Sequence, residues 1–218
     1  MNDLNYMIIK TEKKWLHQLY RFCQSLFSNS KIPSHDHNHH YRVWNYCKEI
    51  LTTLHPSIPI NYDFIQGCMI ASFFHDTGLS NTIDEFHGQE SKKICQAYFR
   101  NQNLEIPKNF SDILWAIEKH DDKNYQPEKQ NPDSLLSIIC NADDLDAFGN
   151  IGVIRYTEIY LLRGIEIDQL PALVIQNIDN RFRHFKLTYK DYPEFYNKHQ
   201  TRYLITREFF KKLKEEFI

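Results

Sequence analysis

The sequence predicts an all-α protein, and three observations lead to that prediction. Apolar residues recur at helical spacing along almost the whole chain, without a strand-like alternating run of convincing length. Glycine and proline are scarce, at 6 and 8 of the 218 residues, which disfavours a β-sandwich with many turns. The 15 Phe and 13 Tyr, within a hydrophobic fraction of 42%, are enough to build a sizeable core. At this length a single domain covering residues 1–218 is the simplest expectation.

The first three helices have well-marked ends. Their predicted bounds are about residues 4–28, 33–54 and 62–76. A short polar segment, 28–30, closes the first helix, and Pro33 opens the second. Pro56 follows the end of the second, and Gly78 breaks the pattern after the third. Four of these six boundaries therefore have residues that favour leaving or entering a helix.

The remaining helices follow with short breaks between them. Their predicted bounds are about residues 83–100, 109–121, 132–147, 154–162, 171–186 and 193–217. Pro107 and Pro132 lie near the starts of two of them. Gly149 and Gly152 are expected to mark a break or kink before residue 154. The apolar positions of the C-terminal helices, within 165–218, predict that these helices pack back onto the rest of the domain.

The charge pattern argues against two classes of partner. The formal net charge is −2 with histidine neutral, and no clustered basic excess stands out beyond short C-terminal runs. A surface that binds duplex nucleic acid normally shows such an excess, so we expect no duplex partner. Acidic residues also interrupt the basic face of the last helix, which disfavours a membrane-binding helix. The oligomeric state is left open.

The cysteines and the N-terminus favour a cytoplasmic location. The five cysteines are widely spaced, odd in number and contain no CxxC pair, so neither a zinc knuckle nor a thioredoxin-type pair is indicated. Most lie on predicted apolar faces, where a free thiol behaves as a small hydrophobic group, as in a reducing compartment. No signal peptide is evident, and no apolar run has the length needed to cross a bilayer.

Two histidines and two aspartates form a candidate metal site. His75 and Asp76 directly follow the apolar run 68–74, so they are expected to be partly buried. His39 lies one turn before the apolar stripe of the second helix, and Asp143 extends the stripe of the sixth. Burying an imidazole or a carboxylate without a partner is costly, and both groups are metal ligands. The order H…HD…D therefore predicts a divalent-cation site built from three helices.

Two further histidines extend apolar stripes in the same way. His87 precedes the stripe of the fourth helix, and His120 continues that of the fifth. A lone histidine on such a stripe is more often a hydrogen-bonded core or surface residue, so this reading stays open for each. Asp144 is expected to be solvated. Asp146 is expected to accept a hydrogen bond beside the site or at the helix end, and ion binding is its alternative.

These residues resemble the HD superfamily of metal-dependent phosphohydrolases, whose hallmark is H…HD…D on a helical core. The similarity extends over about residues 33–160 and is closest to a subgroup of small stand-alone bacterial HD proteins. The matching segments are His35-Asp36-x-x-His39-x-x-Arg42-Val43, Phe73-Phe74-His75-Asp76-Thr77-Gly78, His87-x-x-x-Ser91, Ile117-x-x-His120 and Ala142-Asp143-x-Leu145-Asp146-Ala147-x-Gly149-x-Ile151-Gly152. The chain departs from the subgroup at Asn141, where an acidic residue is usual, and at Asp144, which replaces a basic residue. Both departures bear on substrate preference.

The resemblance implies a helical bundle of the HD type and assigns roles to the polar residues. The implied metal ligands are His39, His75, Asp76 and Asp143, holding one divalent transition metal: Mn, Fe, Co, Ni or Zn. His87 and His120 would contact phosphate or donate a proton, or they would bind a second ion bridged by Asp76. Arg42 and Arg155 are candidate phosphate clamps because a guanidinium matches that group; surface ion pairs are the alternative.

The favoured function is hydrolysis of a phosphoester or phosphoanhydride bond in a nucleotide-like small molecule. Pyrophosphohydrolysis of nucleoside triphosphates, known among similar small HD proteins, is one form of it. Two alternatives stay open. An HD-type di-iron oxygenase needs six ligands, and iron content with oxygen consumption on a polyol identifies it. A non-catalytic sensor or binding module keeps the fold without turnover.

Overall fold

The computed structural model describes residues 3–30, 32–84, 87–122 and 131–217, and within these ranges the chain is helical with no β-strand. This confirms the predicted all-α class. The described helices are α1 (Asp3–Leu26), α2 (His37–Leu54), α3 (Tyr62–Phe74), α4 (Gly88–Asn101), α5 (Phe110–Lys119), α6 (Leu135–Asp146), α7 (Asn150–Leu162), α8 (Leu170–Thr188) and α9 (Pro193–Glu215). Two short 3₁₀ segments, Pro33–His35 and Thr77–Ser80, precede α2 and follow α3. No helix within the described ranges combines the length and apolar character needed to cross a bilayer.

The chain divides into two compact units, Met1–Ala142 and Asp143–Ile218. In the first unit, α3 packs against α1, α2, α4 and α5. Every residue of α3 from Ile65 to Phe74 is buried, which is typical of a helix that is apolar on all sides. The helix therefore forms the centre of this unit, and its C-terminal end delivers the His-Asp pair into protein rather than into water.

In the second unit, α9 packs against both α7 and α8. Phe182 of α8 stacks on Tyr203 of α9, with ring centroids 4.2 Å apart. Gly149 precedes α7 with a φ of 84°, a left-handed conformation that favours glycine. Its N–H donates to the Arg202 carbonyl and its carbonyl accepts from the Thr206 hydroxyl, which fixes the start of α7 against α9.

Three predicted boundaries are wrong. The second helix was expected to open at Pro33, but Pro33–His35 forms a separate 3₁₀ segment and α2 begins at His37, because the Asp36 side chain caps the helix there. Gly152 was expected to break or kink the chain before residue 154, but α7 already begins at Asn150 and contains Gly152. A Cβ on Gly152 would lie 1.9 Å from the Ala147 carbonyl oxygen, so the glycine permits a close approach of backbone instead. The fourth helix was expected from about residue 83, but α4 begins at Gly88. The reason is the carboxylate of Asp121, two residues beyond α5, which accepts from the backbone N–H of Gly88 at the start of α4. The prediction of a single domain over residues 1–218 stays a prediction.

Candidate metal centre

A helix cap sets the position of His39. The carboxylate of Asp36 accepts from the backbone N–H groups of Asn38 and His39, at 2.9 and 3.1 Å, and thereby caps α2. His39 is fully buried and lies one turn before Val43, which is also buried. The first turn of α2 therefore directs this imidazole toward the interior, as the apolar stripe predicted.

The end of α3 sets the position and the tautomer of His75. The backbone N–H of His75 closes the helix by donating to the Ala71 carbonyl. Its Nδ1 atom lies 2.9 Å from the Ser72 carbonyl oxygen. Because a carbonyl only accepts, Nδ1 has the proton and Nε2 has the lone pair that can bind a metal. The ring is fully buried, so neither nitrogen depends on bulk water.

One oxygen of Asp76 meets the first pair of histidines. The Oδ2 atom lies 3.0 Å from Nε2 of His39 and 3.4 Å from Nε2 of His75. The two Nε2 atoms are themselves 3.1 Å apart. These three residues therefore place one ligand atom each around a single point.

The other oxygen of Asp76 meets the second pair of histidines. Its Oδ1 atom lies 2.7 Å from Nε2 of His87 and 2.9 Å from Nε2 of His120. The Nδ1 atom of His87 faces the Asp84 carbonyl at 3.2 Å, and that of His120 faces the Ile117 carbonyl at 2.7 Å. Both rings therefore have the proton on Nδ1 and present a lone pair to the carboxylate.

This arrangement brings the Asp76 carboxylate close to imidazole nitrogens of His75, His87 and His120 that carry lone pairs. An ionised carboxylate accepts only, and imidazole nitrogens without a proton also accept only. Protonating several buried imidazoles next to one another is unfavourable, since their charges repel. A divalent cation next to each oxygen removes the conflict, because neutral imidazole and carboxylate are its ligands. Two groups of closely spaced ligand atoms are present in the described residues, one with His39, His75 and Asp76 and one with Asp76, His87 and His120.

The spacings of the first group match those of ligands on one ion. With metal–ligand bonds of about 2.1 Å, neighbouring ligands lie about 3.0 Å apart on an octahedral ion and about 3.4 Å apart on a tetrahedral one. The three observed spacings are 3.0, 3.1 and 3.4 Å. A divalent ion therefore fits the residues present, with a mixed nitrogen and oxygen donor set.

Electrostatics favours the ionised form of the bridging carboxylate. Burial by itself raises the pKa of Asp76, but protonated forms of the neighbouring imidazoles outweigh it, His75 and His87 through their charge and His120 and His39 through hydrogen bonds that they donate. Without a bound ion these protonated rings hold the pKa of Asp76 well below its usual range. A cation takes the place of those protons when it binds. Burial by itself lowers the pKa of His87, but the carboxylates of Asp76 and Asp121 more than offset this, so its pKa is raised. The carboxylate is thus available as a ligand at neutral pH.

Asp143 lies on α6, which begins at Leu135 in the first unit and continues through Asp146. One of its oxygens is grouped with the ligand atoms of His39, His75 and Asp76, all within 4.8 Å of one another. The carboxylate also accepts from two guanidinium groups, Oδ1 from Arg155 at 3.1 Å and Oδ2 from Arg181 at 3.3 Å.

Arg181 was not found by sequence reasoning. It lies on α8, 38 residues after Asp143, and no motif connects the two positions. Its guanidinium also donates to the carboxylate of Asp144, which is fully buried. The expectation that Asp144 is solvated is therefore wrong, because a buried carboxylate is tolerated when a guanidinium pairs with it. Asn141 donates to the Ser137 carbonyl of its own helix.

The two arginines expected to bind phosphate lie in different surroundings. Arg155 is 6% exposed and donates to Asp143 and to Asp146, at 3.1 Å in each case. Its charge is thus already engaged by two carboxylates, and Asp146 accepts as the sequence predicted. Arg42 is half-buried in α2, one turn after His39. Phosphate binding by either residue stays a prediction.

A family model for the HD domain matches residues 37–147, just over half of the chain. The matched segment begins with α2 and ends with α6, so it contains all six residues of the two ligand groups. The chain belongs to the HD domain family. The predicted resemblance to HD phosphohydrolases is thereby confirmed. Searches of curated proteins and of solved structures found no match to this HD protein.

The five thiols of the HD protein are predicted to be unreactive in the native state. All five cysteines are buried and free. Burial raises the pKa of the Cys47 thiol to about 12, although a hydrogen bond with Ser72 acts in the opposite direction. Only the thiolate reacts, so at pH 8 we expect less than one thiol per chain to react with a disulfide reagent. In guanidinium chloride all five should react; rapid reaction of several thiols in the folded protein would contradict the buried placement.

Proposed function

We propose that this HD protein is a metal-dependent phosphohydrolase with two divalent ions bridged by Asp76. The observation that supports it best is the division of the Asp76 carboxylate, one oxygen facing His39 and His75 and the other facing His87 and His120. A carboxylate between two pairs of imidazole lone pairs has the donor set for two ions. The HD domain family consists generally of hydrolases, which favours this activity over the alternatives.

The proposed ligands fall into two sets that share one residue. His39, His75, Asp76 and Asp143 hold the first ion, and His87, His120 and Asp76 hold the second. Bound divalent ions lower the pKa of a coordinated water and offset charge that builds up on a phosphoryl group. With nitrogen and oxygen donors, Mn, Fe, Co, Ni and Zn suit the site better than Mg, which prefers all-oxygen surroundings. We propose manganese as the ion.

The chain's own residues contribute orientation and exclusion of water. The backbone carbonyls that face Nδ1 of His75, His87 and His120 fix these rings so that Nε2 points at Asp76. All of these side chains are buried, which keeps the local dielectric low and strengthens each charge interaction. Arg155 and Arg181 orient Asp143 through hydrogen bonds to its two oxygens. We assign Arg42 to phosphate binding, since it lies one turn after His39 and has the charge for it.

We propose a nucleotide-like small molecule as the substrate. Hydrolysis of a nucleoside triphosphate to the monophosphate and pyrophosphate is the specific reaction that the resemblance to small HD proteins favours. The buried free thiols agree with a reducing compartment, and we therefore propose a cytoplasmic location.

A product assay on metal-depleted protein tests this function. After chelation we expect no hydrolysis of any nucleotide in a panel of mono-, di- and triphosphates and cyclic nucleotides. Addition of Mn²⁺ should restore release of phosphate or pyrophosphate from at least one of them. A metal-loaded protein that hydrolyses no member of the panel would contradict the proposal and favour the non-catalytic binding module.

A di-iron oxygenase is a second candidate, because the two groups together contain six ligand residues, the number that such a site needs. Iron at two equivalents per chain, with oxygen consumption on a polyol and no nucleotide hydrolysis, would identify it.

A further inference from the structure

Two residues adjacent in sequence, His120 and Asp121, interact with different parts of the second ligand group, which consists of Asp76, His87 and His120. Nε2 of His120 lies 2.9 Å from Oδ1 of Asp76. The next residue, Asp121, accepts through Oδ2 from the backbone N–H of Gly88 at 2.8 Å. Gly88 is the first residue of α4 and directly follows His87. One short segment therefore supplies one imidazole of the group and holds the backbone beside the other.

Asp121 replaces the usual side-chain cap of α4. The N-cap residue of this helix is His87, whose side chain makes no capping hydrogen bond because its ring faces Asp76. The first N–H groups of a helix have no partner inside the helix and need an acceptor. Asp121 provides that acceptor from the end of α5, and its negative charge lies at the positive end of the α4 dipole. The start of α4 is thereby held without using the His87 ring.

The contact requires glycine at position 88. A Cβ on Gly88 would lie 2.4 Å from the Glu118 carbonyl oxygen and 3.0 Å from the Ile117 carbonyl oxygen. Any side chain there would push α4 away from α5. A second tie between the same two helices is the ion pair of Lys92 with Glu118, at 2.6 Å. The start of α4 and the end of α5 therefore have one well-defined relative position.

Asp121 also faces the ring of His87. Its Oδ2 atom lies 3.7 Å from Nδ1 of His87, on the side opposite the nitrogen that meets Asp76. The Asp84 carbonyl accepts from the same Nδ1. A carboxylate on this side favours the proton on Nδ1 and the lone pair on Nε2. Asp121 is itself only 8% exposed at its side chain, so water weakens this interaction little.

We infer that Asp121 is a positioning residue that couples His87 and His120 and thereby sets the affinity of the second ion. The inference rests on the proposed function, since it needs a second ion between these histidines and Asp76. Asp121 touches neither substrate nor ion; it acts through the backbone at Gly88 and through the His87 ring. Outer partners of this kind typically change metal affinity by about 10- to 100-fold when removed.

Titration of the full-length protein with Mn²⁺ alone tests the inference. For the unaltered protein we expect two ions, with the electron paramagnetic resonance signal of a coupled pair. Asp121→Ala should weaken the second binding event by about 10- to 100-fold, leave the first unchanged and lose the coupled signal. Asp121→Asn retains an oxygen that accepts from Gly88 but lacks the charge, so its affinity should lie between the two. The matched control is Asp112→Ala, which changes an exposed aspartate of α5, the helix that precedes Asp121; this variant should bind two ions normally.

The variant Gly88→Ala tests the same coupling of His87 and His120 by changing the backbone contact at residue 88. This variant keeps Asp121 but separates α4 from α5, and we expect the same selective loss of the second ion. If Asp121→Ala does not fold, as judged by circular dichroism, the Asn and Gly88→Ala variants decide the result. Normal second-ion binding in the folded variants, or equal weakening of both ions, would overturn the inference while leaving the proposed function standing. An unaltered protein that binds no ion would instead refute the proposed function, and the inference with it.

Discussion

Replacing Asp76 with alanine is expected to remove both ions and to abolish hydrolysis together. Each oxygen of this carboxylate faces a different pair of imidazoles, so the change removes a ligand from both groups. The loss in turnover should be on the order of a thousandfold or more, because the ions both activate water and offset phosphoryl charge. Metal analysis of the purified variant and a nucleotide hydrolysis assay measure the two effects.

Asp133→Ala is a suitable control for this change. Asp133 is exposed and precedes α6, away from either ligand group in sequence, so the variant should keep both ions and full activity. An Asp76→Ala protein that is folded and still hydrolyses nucleotides at the normal rate would contradict the assignment of Asp76 as the bridging ligand.

Substitutions of His39 and His120 are expected to separate the two halves of the centre. His39→Ala removes a ligand of the first group only, and His120→Ala removes a ligand of the second only. Each variant should retain one ion per chain, and turnover should fall by roughly 100-fold or more in either case because both ions act on one phosphoryl group. The double variant should retain no ion, yet its additional loss of turnover should be small, since groups that act as a unit are not additive.

Metal content and turnover of the three variants are compared with those of His17→Ala, an exposed histidine of α1. If His120→Ala keeps the metal content and the rate of the unaltered protein, His120 is neither a ligand nor part of the catalytic centre, and the proposed second ion site is wrong.

Buried polar residues at the ends of apolar stripes were the ones that the sequence could predict. His39, His75 and Asp76 each follow or precede an apolar stripe, and helical periodicity is enough to place such residues on the buried side. The same pattern singled out His87 and His120, but it could not tell a core histidine from a ligand. Only the spatial convergence on the second oxygen of Asp76 distinguishes these two readings.

Features that depend on contacts between distant helices were not predictable. Arg181 pairs with Asp143 and Asp144 across 38 and 37 residues of chain, and nothing local to α8 indicates those partners. Asp144 looked solvated because an aspartate without a visible partner normally is. The start of α4 was misplaced for a similar reason, since the acceptor that holds Gly88 comes from Asp121, 33 residues later.

A crystal structure of the Mn²⁺-loaded protein, with anomalous diffraction, tests the central claim most directly. We predict one anomalous peak about 2.1 Å from Nε2 of His39 and His75, and a second at a similar distance from Nε2 of His87 and His120. Asp76 should contact both peaks, with one oxygen on each. Ordered imidazoles with no metal peak between them, or a peak that Asp76 does not touch, would contradict the account.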